Sequence, residues 1–238
     1  MNVTIILPTY NEAENIPRLI QAIFALPRSD INLLFIDDNS PDGTGQILDE
    51  LVKGHPNRLQ VIHREGKLGL GSAYIHGFRH LSDSDVDAIG MMDSDFSHDP
   101  QKLPEMIDGL EKADLVLGSR YVPGGSVDFD WPLWRKGLSA WANFYARTIL
   151  GLPVKDATTG YRMWRKEALM GLPIDRIMSS GYVFLVEMVF LAHKLGYRIA
   201  EVPIYFADRK WGKSKMDFKM QLEAAIRVWQ VRFAYRDL

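Results

Sequence analysis

Two aspartates, Asp93 and Asp95, stand two residues apart directly after the apolar run Ala88-Ile89-Gly90-Met91-Met92. A short apolar run bounded by polar residues reads as a buried β-strand, so the pair lies at a strand exit. Carboxylates at that spacing can share one hard cation. Mg2+ or Mn2+ takes one or two carboxylates and completes its shell from water and substrate phosphate oxygens. The chemistry this implies is a metal site holding a diphosphate. The plain alternative is a solvated turn, where Asp-x-Asp is common. A second acidic exit favours the first reading, because the strand expected over residues 32–36 runs into Asp37-Asp38-Asn39-Ser40-Pro41-Asp42-Gly43-Thr44. Two such exits in an α/β pattern predict one cleft at the carboxyl edge of a sheet, where these folds bind ligands.

Four cations complete an anion-handling set: Arg120, just past a predicted strand, and Arg135, Arg209 and Lys215 in the less regular second half. A metal with several Arg or Lys side chains stabilises a diphosphate leaving group as its charge grows. Taken singly, each reads equally well as a surface charge. Other machinery is absent from the pattern. Gly212-Lys213-Ser214 ends like a P-loop, but position 207, where that motif needs glycine, is alanine. Gly66-Lys67-Leu68-Gly69-Leu70-Gly71 has the wrong glycine order and place for a dinucleotide fingerprint. There is no G-x-S-x-G context, and the histidines, His98 among them, show no metal-ligand spacing and read as ordinary.

The elements that must position these residues alternate through the first half. Strands are expected over 3–7, 32–36, 59–62, 88–92 and 114–117. Between them lie helices whose apolar residues recur at i, i+3, i+4, i+7, as in Ile16, Leu19, Ile20 and Ile23, then Ile47, Leu48, Leu51 and Val52, and again over 103–110. This predicts an α/β fold with a mostly parallel mixed sheet flanked by helices. In the second half, helices are expected over 131–150, 179–194 and 216–235, a polar loop over 156–162, and an alternating strand over 198–206. The last helix reads as amphipathic and basic.

The 238 residues suit one domain, and an apolar content of 47% suits a full core. There is no cysteine, which fits a reducing compartment. The first residues enter a strand without a signal-like segment. No 18-residue apolar run occurs; the best stretch, 182–192, is interrupted by Glu187. Charge is uneven. Residues 1–118 carry 9 Lys+Arg against 19 Asp+Glu, whereas residues 119–238 carry 19 against 11. The acidic half holds the expected metal site, and the basic half should meet something anionic. All six tryptophans (131, 134, 141, 164, 211 and 229) lie in the basic half. That composition fits a membrane-interface surface or a Trp-rich core with a solvated basic face, and both readings stand.

Several motifs come in a fixed order: Leu7-Pro8-Thr9-Tyr10-Asn11-Glu12, the Asp37–Thr44 run, Asp93-Ser94-Asp95-Phe96-Ser97-His98, Gly118-Ser119-Arg120-Tyr121, Asp156-Ala157-Thr158-Thr159-Gly160-Tyr161-Arg162, and residues 209–215. Over nearly its whole length the chain resembles the dolichyl-phosphate (polyprenyl-phosphate) mannose synthases of glycosyltransferase family 2. The resemblance implies a GT-A fold and inverting transfer of mannose from GDP-mannose to a polyprenyl or dolichyl phosphate. Pro8, Tyr10, Glu12, Ile36 and Asp38 would line the nucleotide pocket. Asp93, Ser94 and Asp95 would hold Mg2+ or Mn2+ and the diphosphate. Arg120, Arg209 and Lys215 would contact donor phosphates or the transferred phosphate group. Asp95, Arg120 and Arg209 are expected to carry the catalysis, and Arg120, Arg135 and Ser139 to grip the acceptor phosphate.

A phosphomonoester is already anionic near neutral pH, so no strong general base is required. Asp156 is accordingly expected to order the Thr158–Arg162 loop rather than act as a base. Two departures stand out. Many relatives carry Gln where this chain has Ser97. Some append transmembrane helices where this chain ends after its amphipathic helix. The expected partners are the donor, the lipid phosphate and a membrane surface, with no nucleic acid, and the resemblance leaves room for a membrane-embedded partner subunit. The expected place is the cytoplasm, peripheral on the cytoplasmic face of a membrane. Rival readings are a family 2 transferase using UDP-glucose or another UDP-sugar on the same lipid, a soluble glycan-modifying transferase, and a non-catalytic subunit that binds nucleotide-sugar.

Overall fold

In the computed structural model, residues 1–208 and 218–238 are described, with side chains for 1–208 and 223–238. The first half follows the expected alternation and adds a helix over Leu70–Leu81, leading out of the Gly-rich turn, that the sequence reading lacks. Strand β1 (Val3–Thr9) is followed by α1 (Ile16–Phe24), β2 (Ile31–Asp37), α2 (Thr44–Gly54), β3 (Leu59–His63), α3 (Leu70–Leu81) and β4 (Ala88–Met91). Then come α4 (Leu103–Gly109), β5 (Leu115–Ser119), the short β6 (Ser126–Val127) and α5 (Leu133–Leu150). The chain continues through β7 (Arg162–Arg165), α6 (Lys166–Met170), α7 (Gly181–Lys194), β8 (Ile199–Pro203), β9 (Tyr205–Phe206) and α8 (Phe218–Ala234).

Seven strands form one sheet in the order β3-β2-β1-β4-β7-β5-β8. All neighbours are parallel except β7, which runs antiparallel between β4 and β5. The fold is therefore α/β with a mostly parallel mixed sheet. The strand of this sheet missing from the sequence reading is β7; the two-residue β6, outside it, is missing too. β7 is four residues long, ends in arginines on both sides, and follows directly on a polar loop, so no period shows. The 198–206 strand is also two pieces, β8 in the main sheet and β9 paired with β6.

Both faces of the sheet are covered, which is why the strands read as continuous apolar runs rather than alternating ones. Along β1, Ile6 faces the core layer containing Tyr74, Phe78, Phe184 and Leu191, while Val3, Ile5 and Leu7 face the layer containing Ile16, Leu19, Ile23 and Met106. α7 is apolar nearly all round because it is enclosed, with ten consecutive buried residues from Val183 to Ala192. α5 starts at Leu133, after Pro132, two residues later than the spacing predicts, and closes at Gly151 in the left-handed region, φ 67°. No helix among the described residues is long and apolar enough to cross a membrane.

The sheet order reverses at β1, from which β2 and β3 lie to one side and β4 to the other. At such a switch point the strand-exit loops diverge and leave a crevice at the carboxyl edge. Backbone strain gathers there. The only non-glycine residues with positive φ among those described are Asn11 (61°), Asn39 (57°) and Phe96 (61°). They lie in the loops after β1, β2 and β4. Asparagine tolerates this conformation, and a bulky phenylalanine adopts it at a cost that the surrounding structure must hold.

Glu187, the charge that interrupts the apolar run of α7, is wholly buried and fully used. Its carboxylate accepts from the Met178 N–H (3.1 Å), the Ser179 N–H (2.9 Å) and the Tyr235 hydroxyl (2.6 Å). Burial, and then the carboxylate beside it, raise the Tyr235 pKa, so the phenol stays a donor. This joins α8 to α7 and to the segment entering it. Glu187→Ala leaves the Met178 and Ser179 N–H groups without this acceptor, while the Tyr235 hydroxyl keeps the Arg176 carbonyl. A loss of about 2 kcal/mol is expected in a denaturant titration, since an orphaned buried group costs about 1–3 kcal/mol.

Candidate active site

The site begins with how its loops are tied. Asp37, at the end of β2, accepts from the Ser40 amide (3.3 Å) and hydroxyl (2.5 Å), which turns the chain back on itself. Ser40 Oγ then accepts from the Asn11 N–H (3.0 Å), Thr44 Oγ1 from the Glu12 N–H (2.9 Å), and Asp42 Oδ2 from the Ala13 N–H (3.1 Å). The Asp-Asn-Ser-Pro-Asp-Gly-Thr motif is thus the fastening of the loop after β1. Ser94 ties the third exit to the first. Its hydroxyl donates to the Pro8 carbonyl at 2.8 Å and lies 3.2 Å from Thr9 Oγ1.

The residues expected around a nucleotide are arranged as follows. Asp38 is buried and paired with Arg64, whose Nε donates to Oδ1 at 2.6 Å. Arg64 also reaches Ser72 Oγ (2.8 Å) and so draws the Gly-rich turn toward Asp38. Sequence reasoning passed over Arg64; only its place on the β3 exit would have flagged it. Lys67 lies 4.2 Å from the centroid of the Tyr10 ring. Glu12 accepts from Asn15 Nδ2 at 2.6 Å. Ile36 departs from its expected role. It has no exposure and packs in the core with Leu34 and Ile89, so its side chain belongs to the sheet interior.

Asp93 and Asp95 follow β4 at the switch point. Asp95 is buried, with Oδ1 accepting from the Ser97 N–H at 3.0 Å; the Asp93 side chain is about a third exposed. The Asp93 N–H donates to Nδ1 of His98 at 3.1 Å. His98 therefore carries its own proton on Nε2, which lies 3.9 Å from Asp93 Oδ2. Burial lowers its pKa, outweighing the pull of Asp93 and Asp95, so the ring is neutral. His98 reads as ordinary in sequence and proves to be wholly buried beneath the carboxylate pair. The donor chemistry fits a hard cation: two carboxylates at one mouth. Among the described residues no third His, Cys, Asp or Glu joins them as a metal cluster. The rest of a metal's shell would come from diphosphate oxygens and water.

Arg120 is not an open cation. Its guanidinium forks onto Asp156 (2.7 and 2.8 Å) and onto Thr158 Oγ1 (2.7 Å), and its N–H also donates to Asp156 at 3.0 Å. Burial opposes both charges, yet the pairing wins. The Arg120 pKa is raised and that of Asp156 lowered. Asp156 also accepts from the Thr158 N–H and hydroxyl, so it orders that loop as well as holding Arg120. Arg162, from the same motif, is wholly enclosed and donates to the carbonyls of Ala157, Thr159 and Leu185 at 2.7–3.0 Å. Burial lowers its pKa to about 9. The loop so held passes close to Asp93. A Cβ on Gly160 would lie 3.6 Å from Asp93 Oδ1.

Of the residues expected at the acceptor phosphate, Arg135 and Ser139 share α5 one turn apart but have separate partners. Arg135 pairs with Asp208 (3.1 Å) and lies 3.7 Å over the Trp131 ring, while Ser139 Oγ is 2.8 Å from the Tyr121 hydroxyl. Arg209, Trp211 and Lys215 lie outside the described residues. The tryptophans divide. Trp131 and Trp164 are buried, as the core reading has it, and Trp134, Trp141 and Trp229 are exposed, as the interface reading has it.

The glycosyl transferase family 2 model matches residues 4–172. The chain belongs to glycosyltransferase family 2. It is 44% identical over 237 residues to the undecaprenyl-phosphate mannosyltransferase of Micrococcus luteus, covering 99% of this chain and 96% of that one. It is 41% identical over 232 residues to the polyprenol monophosphomannose synthase of Mycolicibacterium smegmatis, covering 96% and 86%. Among solved structures, glucosyl-3-phosphoglycerate synthase of Mycobacterium tuberculosis, in complex with Mn2+, UDP-glucose and phosphoglyceric acid, superposes with a TM-score of 0.67 at 22% identity. That match covers 97% of this chain and 79% of the other, and it shows a shared fold.

The Arg120–Asp156 pair makes a testable contribution to stability. The Asp156 pKa is lower folded than unfolded, so the unfolded chain binds more protons as pH falls. The pair's stabilisation is complete above the ordinary carboxylate pKa and is lost as pH drops through the depressed folded value. Asp156→Ala, which strands a buried guanidinium, is expected to cost about 3–5 kcal/mol at neutral pH. Its melting temperature should also fall less steeply than that of the wild type from about pH 5 to 3, read by thermal melts across pH.

Proposed function

We propose that this family 2 glycosyltransferase moves mannose from GDP-mannose to a polyprenyl phosphate. The observation that carries the reading is one crevice joining a carboxylate pair, Asp93 and Asp95, to the Arg120–Asp156 pair through the loop at Gly160. It stands in a chain nearly as long as, and 44% identical to, a polyprenyl-phosphate mannosyltransferase.

In this reading a divalent metal on Asp93 and Asp95 supplies positive charge to the donor diphosphate. Asp38 and Arg64 border the base, and Tyr10 and Glu12 lie along the nucleoside. An oxygen of the lipid phosphate attacks the anomeric carbon of mannose from the face opposite the diphosphate. The new C–O bond forms as the bond to GDP breaks, and the configuration inverts. The attacking oxygen is already anionic, so no group on the protein has to remove a proton. Arg120 stays paired with Asp156, and this pair, which has no net charge, holds the Thr158–Arg162 loop in place beside the crevice. Arg209 and Lys215 are assigned to the phosphates, and Arg135 with Ser139 to the acceptor.

The test is a transfer assay with radiolabelled nucleotide-sugars and a short polyprenyl phosphate. GDP-mannose should give a lipid-linked product that EDTA abolishes reversibly, and Asp95→Ala should abolish it without loss of fold. GDP should compete with donor about tenfold or more better than UDP, because a site built to hydrogen-bond one base leaves polar groups unpaired with another. Equal or stronger inhibition by UDP moves the donor to a UDP-sugar, the type carried by the solved M. tuberculosis relative.

The acceptor's lipid tail calls for a membrane surface. α5 and α8 pack against each other and expose Trp134, Trp141, Phe144, Ile226, Trp229 and Phe233, with Arg227 and Arg236 beside them. Exposed aromatics among cations suit an anionic bilayer interface. A membrane-embedded partner subunit, if the protein has one, would meet this same face. Trp134 and Trp141 replaced together by Ala should weaken co-sedimentation with anionic vesicles while the melting temperature stays within a few degrees. Unchanged vesicle binding would remove this face from the proposal.

A further inference from the structure

Between the carboxylate pair and α5 runs an unbroken column of side chains. Tyr161 stacks on His98 with ring centroids 4.8 Å apart. His98 meets the Phe206 ring edge-on at 5.4 Å, and Phe206 meets Trp131 edge-on at 5.8 Å. The Arg135 guanidinium caps the column, 3.7 Å over Trp131. The Arg120 guanidinium lies 5.3 Å from the centre of the Phe206 ring. The backbone follows the same line. His98 forms an isolated bridge with Phe206, and the Ala207 N–H donates to the Ser97 carbonyl at 3.2 Å.

Ordinary core packing does not account for this column. Trp131 and Phe206 belong to neither of the two hydrophobic layers that flank the sheet. The column instead spans the chain's acidic and basic halves. One end holds the Asp93 backbone through His98 Nδ1. The other sets the first turn of α5. Phe206 is the common member, touching the ring beneath the metal loop, the tryptophan that carries Arg135, and the Arg120 cation. Groups behind metal ligands orient them and are felt in metal affinity. A rigid aromatic edge suits that task, because it has few torsions and fixed contact directions.

We infer that Phe206 is a positioning residue for the transfer: one ring sets His98 against Asp93 on the donor side and Trp131 with Arg135 on the acceptor side. The inference rests on the proposed assignment of Asp93 to the donor and Arg135 to the acceptor. Without the ring, His98 is free to tilt off the Asp93 amide and the start of α5 is free to shift. Both substrate sites then loosen together although neither is touched directly.

The experiment compares Phe206→Leu, which removes the ring, with Phe206→Tyr, which keeps it. Three quantities are measured: Mn2+ affinity by electron paramagnetic resonance with GDP or UDP present, acceptor KM, and melting temperature. Phe206→Leu should weaken Mn2+ binding about tenfold and raise acceptor KM roughly threefold, with little change in melting temperature. Phe206→Tyr should match the wild type in both. A leucine variant altered in melting temperature alone, or at one site and not the other, overturns the inference. So does a tyrosine variant as impaired as leucine. Should leucine fail to fold, Trp131→Leu cuts only the acceptor arm and should raise acceptor KM with Mn2+ binding unchanged; an unchanged KM overturns the column. A wild type that binds no Mn2+ with either nucleotide overturns the donor assignment and this inference with it. Normal Mn2+ binding in both wild type and Phe206→Leu overturns the inference alone.

Discussion

The carboxylate of Asp156 is wholly removed from water, and the site is arranged around keeping its charge. An isolated buried carboxylate is prohibitively costly, and only a close, well-aligned cation with further donors makes it tolerable. Arg120 supplies the fork, and Thr158 and the Arg120 amide supply the rest. The backbone around it is fastened in turn. Glu201 accepts from the Lys155 and Asp156 amides, Asn143 accepts from Ala157, and Arg162 gathers three carbonyls. With residues 155–162 held in this way, Gly160 comes against Asp93 and Tyr161 lies flat on His98. The ion pair therefore shapes the loop that carries Asp93 and His98 without touching it.

The same logic explains why Arg120 differs from a phosphate-binding arginine at a surface. A long flexible side chain that must be recruited to an anion loses rotamer entropy on binding. Here that loss is met on folding, and the guanidinium is committed to Asp156 as a pair without net charge. The strained Phe96 and the left-handed Asn11 and Asn39 fit the picture, since each loop bends sharply where a strand delivers its polar residue.

The basic half serves two ends that its composition leaves undivided. Trp131 and Trp164 are interior, while Trp134, Trp141 and Trp229 stand on the outer face of α5 and α8. Trp229 is tied to its neighbour by a hydrogen bond from its indole N–H to Tyr145 Oη at 3.0 Å. Tyr145 in turn donates to the Ala225 carbonyl, so the two helices present a joined surface. Glu187 and Tyr235 anchor the far end of that surface to the core. The aromatic face is thus carried on a rigid mount.

Much of this was open to reading in the order of residues. Apolar runs and i, i+3, i+4 stripes determine most of the alternating strands and helices of residues 1–119, because burial on both faces of a parallel sheet leaves a local signal; α3, entered through a glycine-rich turn, is the helix they left unmarked. The Asp-x-Asp pair at a strand exit and the Asp37–Thr44 motif were legible for the same reason. Tertiary structure alone decided what depends on distant partners. β7 is visible only from β4 and β5, which hydrogen-bond to it. Ile36 belongs to the core because α3 covers it. Arg64 finds Asp38 from 26 residues away. His98 gains its place from Tyr161 and Phe206, two distant segments that no spacing brings together. A charge that folds inward, such as Arg120 or Glu187, has the same letter as one that stays in water. Its role is set by the partner that meets it after the chain has folded.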